Sequence, residues 1–294
     1  MNSEILPRFH RQRFLLQFIE LAGNRLSKID LQKLLFLAHQ ERNFRYFDFV
    51  PYHFGCYSFQ VASDLETLDQ DGWVKVMKNE VLLLKTFKGK DPISNTDRNE
   101  TQRFLSSHMG LRGESLLRYV YERFPYYARN SRMAHRFLKG VNLGSGTTDD
   151  DTLLYTIGYE GLTFEAYLNK LIQHKVQVLC DVRQNPLSRK FGFSKSALSR
   201  ILPKFNISYL HIPELGIVSE KRKSLTTRMD FSRLFNEYSQ QLPQKERYIF
   251  ALDNLIKEGK RVALTCFEHE PSSCHRSYLS NYLCEQHTVP VEHL

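Results

Sequence analysis

Nowhere in the 294 residues is there an apolar run near the roughly 18 positions that a membrane-spanning helix needs, so no such helix is expected. The first residues, Met1–Gln12, hold Glu4 and several basic side chains, but lack the apolar stretch and small-residue cleavage site of a secretory signal. Cysteine is scarce and odd in number. Five of them in a chain without an export signal fit reduced thiols and argue against a disulfide framework. The expected setting is therefore cytoplasmic. There is also no internal repeat and no low-complexity tract, which sets aside a repeat array.

What the chain does contain is the composition of an ordinary soluble globular protein, with 41% hydrophobic and 25% charged residues. Its length exceeds the usual domain of roughly 100–200 residues, so two domains are expected. The formal net charge is +9, and it is unevenly spread. Residues 1–146 carry 22 Lys and Arg against 15 Asp and Glu, whereas residues 147–294 carry 19 against 17. A basic half beside a near-neutral one points to a polyanion partner for the first half and a separate task for the second. Solubility alone is the plainer explanation of the same charge.

The clearest boundary is Val141–Asp151, where Gly, Ser and Thr precede the acidic triplet Asp149–Asp151, the pattern of a solvated linker. A lesser break lies at Lys88–Glu100. Two domains follow, 1–146 and 147–294. In the first, the spacing of Phe14, Leu15, Phe18, Ile19 and Leu21 predicts a helix over Arg11–Leu21. Ser27 is placed to cap a second, with Asp30 three positions on. A further helix at Val61–Asp71 ends at Gly72, and Trp73–Val76 with Val81–Thr86 forms a hairpin. Helix, helix, hairpin is the order of a winged helix. Gly113–Phe124 adds another helix. Tyr52, His53, Phe54, Tyr57 and Phe59 between them read as core and turn residues; Lys28 and Lys33 are the candidate DNA-binding residues.

The second domain alternates strand and helix: strands at Thr152–Ile157, Val176–Val182, Ile207–Ile212 and Arg261–Phe267, with a possible edge strand at Val289–Glu292. Helices at Thr163–Gln173, Ser194–Phe205, Phe231–Gln240, Gln244–Glu258 and His275–Gln286 separate them. That alternation predicts an α/β, Rossmann-like, mostly parallel sheet with helices on both faces. Ligands of such sheets bind beyond the carboxyl ends of the strands. The residues that stand out chemically all fall there. Gly158 and Tyr159 follow the first strand, Asp181 and Arg183 close the second, Cys266 and Glu268 close the fourth, and Cys274, His275 and Arg276 open the last helix.

Each residue type suits a pocket. A glycine at 158 lets the backbone approach a ligand closely. Asp181, Glu268 and His275 are candidates for acid–base work. Arg183, Arg189 and Arg276 suit bidentate grip on a phosphate or carboxylate. A helix N-terminus at Cys274 favours anions and thiolates. Each has a structural alternative. Asp181 and Arg183 also read as an ion pair fixing a loop, and Cys180, Cys266 and Cys284 as inert thiols. Cys266, Cys274 and His275 invite zinc, but their spacing is not that of a finger or ribbon and no fourth ligand is evident, so no metal or other cofactor is assigned.

Three ordered segments carry a resemblance. Thr156-Ile-Gly-Tyr-Glu-Gly161, Asp181-Val-Arg-Gln-Asn-Pro-Leu-Ser-Arg189 and Cys266-Phe-Glu with Cys274-His-Arg276 resemble the signatures of the bacterial family named domain of unknown function 488. Ile207-Ser-Tyr209 and Glu214-Leu-Gly216 fit it too, while Ile217 stands where that family often has a second glycine. The resemblance implies that Gly158, Asp181, Arg183, Arg189, Cys266, Glu268, Cys274, His275 and Arg276 share one pocket; it implies no settled reaction. The first half is similar, more weakly, to Panacea-type antitoxin domains through Leu31–Phe36, Tyr52–Ser58 and Asp64–Leu68, with Cys56 in place of the usual proline. Such modules imply regulation, partner binding or DNA association.

The expectation is a nucleic-acid-associated protein. Its basic half docks on DNA or RNA, and its C-terminal pocket binds or processes a nucleotide or modified base, as a hydrolase or transferase. By analogy the setting is DNA modification or phage defence. In this reading Asp181, Glu268 and His275 are catalytic, and Gly158, Tyr159, Arg183, Arg189, Cys266, Cys274 and Arg276 bind substrate. The alternative is a nucleotide-sensing regulator or antitoxin-like module without turnover. A homodimer is left open, and no membrane partner is expected.

Overall fold

The computed structural model describes residues 6–87, 93–138, 153–218, 221 and 225–294. The predicted linker at 141–151 lies outside them, as does the start of the lesser break at 88–92. The chain divides into two compact units, Met1–Gly144 and Ser145–Leu294.

In the first unit, helix α1 (His10–Leu21) leads into strand β1 (Arg25–Ser27) and helix α2 (Lys28–Arg42). The Ser27 hydroxyl accepts from the Asp30 amide at 2.9 Å, the predicted cap. The Asp30 carboxylate turns elsewhere, accepting from the Gly113 amide at 2.8 Å and so tying α2 to α5 (Gly113–Arg123). Strands β2 (Val50–Tyr52) and β3 (Gly55–Tyr57) form a small antiparallel ribbon before helix α3 (Phe59–Gln70). Strands β4 (Val74–Val76) and β5 (Glu80–Leu83) are the expected hairpin, and β1 adds to its free side, giving the antiparallel order β1-β5-β4. Helix α4 (Asn95–Ser107) and the single turns α6 (Pro125–Ala128) and α7 (Ala134–Phe137) complete the unit around one aromatic-rich core that includes Phe14, Phe18, Phe36, Phe104 and Tyr121.

The second unit is a five-stranded parallel sheet. Its strands are β6 (Leu154–Gly158), β7 (Val178–Asp181), β8 (Ser208–His211), β9 (Val262–Cys266) and β10 (Val291–His293), in the order β10-β6-β9-β7-β8. The connecting helices are α8 (Phe164–Gln173), α9 (Lys195–Ile201), α10 (Arg228–Gln241), α11 (Glu246–Lys257) and α12 (His275–His287). The predicted helix over 194–205 is shorter, because Pro203 has no amide to continue it and the chain tightens into a 3-10 turn at Leu202–Phe205. Side chains alternate across the strands. Leu154, Val178, Cys180, Val262 and Leu264 pack with Leu234, Ile249, Leu252, Leu279 and Leu283 of α10, α11 and α12. The intervening Thr265 faces the other way and accepts from the Tyr167 hydroxyl of α8 at 2.8 Å. Helices therefore cover both faces, as expected for an α/β sheet.

The order has a functional consequence. Strand β9 sits between β6 and β7, whose connections leave on the α8 and α9 side, while its own leaves through α12 on the opposite face. The loops part around the carboxyl end of β9 and open a crevice there.

Candidate functional site

The crevice is a cleft of about 470 Å³ lined by residues from three strand ends: Tyr159 after β6, Arg183–Asn185 and Leu187–Lys190 after β7, and Cys266, Phe267 and Glu268 after β9, with Ile217 and with His275 from α12. Two sets of buried side chains shape it. Between them they decide which of the expected residues face a ligand.

The first set lies on the α8 face. Asp181 is fully buried, and its two oxygens accept four hydrogen bonds. Three come from Arg183, through its amide at 3.1 Å, Nε at 2.8 Å and Nη2 at 2.5 Å; the fourth is the Tyr209 hydroxyl at 2.7 Å. Burial, and then the adjacent Asp181 charge, push the Tyr209 phenol above its ordinary pKa. Arg183 spends its remaining face on the Tyr159 hydroxyl and the Phe193 carbonyl, both at 3.0 Å from Nη1. Asp181 is therefore an anchor and not the expected general base: a carboxylate with its acceptor positions filled by an arginine and a phenol has no lone pair for a substrate proton. Arg183 touches the cleft wall, but Asp181 holds it for shape.

The second set locks the β9 loop. The Arg276 guanidinium is 1% exposed and donates from Nη1 to the Glu268 carbonyl and from Nη2 to the His269 carbonyl at 2.8 Å. Arg276, expected to bind substrate, instead clamps the loop that carries Glu268. Gly158 is part of that clamp, since a Cβ there would lie 1.8 Å from the Glu268 carbonyl oxygen. Its glycine serves the approach of protein backbone, not of a ligand. The loop is closed from outside by the Glu160 amide on the Phe267 carbonyl at 2.8 Å and the Glu160 carboxylate on the His269 amide at 3.0 Å.

On the α12 side lie Cys266, Cys274 and His275, all buried, with one ligand atom of each within 4.8 Å of the others. His275 Nε2 is 3.1 Å from the Val182 carbonyl, an acceptor only, so that nitrogen carries the proton. Its Nδ1 lone pair is left facing the Cys266 sulfur at 3.8 Å and the Cys274 sulfur at 3.9 Å. The Cys266 thiol also lies 3.2 Å from a Glu268 carboxylate oxygen. The hydrogen bond to Cys274, and then burial, raise the Cys266 pKa well above its usual value. Cys274 is fully buried and does not reach the cleft, so it is no substrate contact.

What remains in the cleft is a shorter set than the sequence suggested. Of the expected residues, Glu268, His275, Cys266, Tyr159 and Arg189 line it. Arg189 is exposed and, among the described residues, has no ion-pair partner. Lys190, Gln184, Asn185 and Phe267 were not singled out and line it too. Lys190 donates to the Tyr159 carbonyl at 2.8 Å, and partial burial lowers its pKa. A signal for it exists: between Asp181 and Glu214 the sequence has six Lys and Arg and no acidic residue. Phe267, at the mouth of the cleft, packs on Tyr159 in a T-shaped contact at 5.3 Å and is otherwise 45% exposed.

In the first unit, a separate cleft of about 530 Å³ is lined by Lys28, Lys33, Lys78, Tyr52, His53, Phe54 and Tyr57 among others. His53 and Phe54 form the turn of the β2–β3 ribbon, as read, while Tyr52, His53, Phe54 and Tyr57 wall this cleft instead of filling a core; Phe54 is 43% exposed, and Tyr52 stacks on His53 at 4.0 Å. Lys33, expected on DNA, is 2% exposed and donates to the Cys56 carbonyl at 2.9 Å, with its pKa lowered by burial. A side chain so enclosed cannot reach a phosphate backbone. Lys28 is half-buried at the rim.

No helix among the described residues is long and apolar enough to cross a membrane. The family profile described as "Domain of unknown function DUF488" matches residues 163–283, within the C-terminal half of the chain. Comparison with curated proteins found no match.

Proposed function

We propose that the C-terminal cleft binds a nucleotide, free or as part of a nucleic acid, and that the basic N-terminal unit holds the same nucleic acid. The observation that carries this reading is the pairing of Arg189, a cation with no ion-pair partner among the described residues, with the exposed ring of Phe267 on one cleft. A guanidinium suits phosphate, and an open aromatic face suits a stacked base. The amides of Gln184 and Asn185 supply donors and acceptors for a base edge. In the N-terminal unit, the order β1-β5-β4 with α2 and α3 before the hairpin supports a winged-helix arrangement, and the resemblance to antitoxin-type modules agrees with it. The exposed hairpin lysines Lys75 and Lys78 are its candidate phosphate contacts.

Turnover, as a hydrolase or transferase, falls to Glu268, because Asp181 is fully engaged and both ring nitrogens of His275 face protein atoms. The engagement of Asp181 and Arg276 in the frame also favours the second reading, a sensor that binds a nucleotide and leaves it intact.

The test is fluorescence anisotropy of the full chain with labelled single-stranded DNA and RNA and with nucleotides. A stacked base contributes roughly 1–3 kcal/mol, so Phe267→Ala should weaken binding about 5- to 150-fold. Arg189→Ala should weaken it and flatten its salt dependence. Unchanged affinity in both variants refutes the cleft as the nucleotide site. Nucleotide recovered chemically intact after incubation with the full chain selects the sensor; product that disappears with Glu268→Gln selects the enzyme.

A further inference from the structure

Cys266, Cys274 and His275 come from two elements, the end of β9 and the first turn of α12, and meet with their donor atoms turned inward. Tetrahedral zinc, with bonds of about 2.3 Å to sulfur and 2.0–2.1 Å to nitrogen, sets sulfur and nitrogen roughly 3.6 Å apart. The two sulfur–Nδ1 separations are 3.8 and 3.9 Å, within a few tenths of an ångström of that value, and all three donor atoms lie within 4.8 Å of one another. The imidazole is already in the required tautomer. Its Nε2 proton is committed to the Val182 carbonyl, which is the outer partner that ligating histidines use to aim the other nitrogen at a metal. Both cysteines are free thiols.

We propose that these three side chains form a binding site for a thiophilic divalent ion of the zinc class, with its fourth position directed to the cleft. Cys266 and His275 line the cleft, while Cys274 closes the site from the protein side. The Glu268 carboxylate, 3.2 Å from the Cys266 sulfur, stands beside that fourth position. Two thiolates, one imidazole and one open corner facing a ligand cleft is the donor arrangement of a catalytic zinc site rather than a closed structural one. The short spacing that makes the set unlike a finger follows from its location: both cysteines flank one strand-to-helix loop, and the histidine is adjacent to the second.

The test uses the reduced full chain, stripped with a chelator and titrated with Co(II). One ion per chain is expected, with thiolate-to-cobalt charge-transfer absorption and the intense visible bands of a tetrahedral site, both abolished by stoichiometric Zn(II). Cys266→Ser and Cys274→Ser should each cut the charge-transfer band by about half or weaken binding at least 100-fold. His275→Ala should weaken binding similarly, and Cys284→Ser should change nothing. A full band in Cys274→Ser, or no binding at micromolar metal, overturns the site. Should the buried variants not fold, X-ray absorption on the zinc-loaded wild-type chain decides: two sulfur neighbours and at least one nitrogen support the site, and a shell without sulfur refutes it. No nucleotide is present, so this result is separate from that of the nucleotide-binding experiment.

Discussion

Replacing Gly158 by alanine puts a methyl carbon 1.8 Å from the Glu268 carbonyl oxygen and 2.7 Å from its carbonyl carbon. Ordinary contact begins near 3.4 Å, so the loop after β9 must retreat by about 1.6 Å. That displacement breaks the Arg276 hydrogen bond to the Glu268 carbonyl and strains its bond to His269 and the Glu160–Phe267 backbone bond. Overpacking costs roughly 1–3 kcal/mol, and a lost hydrogen bond to a charged donor about 1.5–3 kcal/mol. The sum is about 2.5–6 kcal/mol. A unit of this size loses roughly 2–4 °C of melting temperature per kcal/mol, so the C-terminal unit should melt about 10 °C lower. Calorimetry of the full chain measures this, and hydrogen exchange localises it: amides at 267–270 should exchange faster, while those of the N-terminal unit should not change. A variant that melts within 2 °C of wild type with unaltered exchange at 267–270 would refute the clamp.

Further expectations concern the buried charges. Asp181→Asn leaves Arg183 buried without its counter-charge, which should cost about 3–5 kcal/mol in urea unfolding; a loss under 1 kcal/mol would show that the pair is not the anchor of the β7 loop. Lys33 has a pKa below 10.5 in the folded chain, so the unfolded chain binds more protons between the folded and unfolded values. Wild-type stability relative to Lys33→Met should therefore rise as pH climbs through the folded pKa towards 10.5, and a pH-independent difference would contradict the burial. Gly216→Ala would place a Cβ 2.4 Å from the Gln184 amide nitrogen, and so should distort the cleft wall and weaken ligand binding, read by the same anisotropy assay.

The secondary structure of the C-terminal half was legible because each strand there is a short apolar run bounded by turn residues and each helix has an apolar stripe. Even the edge position of the last strand, β10, followed from its length and place. The N-terminal half was less so. The β2–β3 ribbon is built from VPY and GCY, three residues a strand, too short for alternation to register. Helix α4 has mostly polar residues, with Thr101, Phe104 and Leu105 as its buried side, too few for an apolar stripe to stand out in the sequence.

The sequence by itself determined that reactive side chains would gather at the strand ends, because period and chain order place strand termini on one rim. Only the tertiary structure decided how they are employed. Asp181 and Arg276 look like catalytic or binding groups in any listing of residue types. Yet one lies where an arginine and a tyrosine fill its oxygens, and the other where two carbonyls meet its guanidinium. The direction of a lone pair, as with His275 turned by the Val182 carbonyl towards two sulfurs, depends on a contact 93 residues away in the chain. Hydrogen bonds are directional and saturable, so the partner that reaches a polar atom first decides its role, and that partner is chosen by packing.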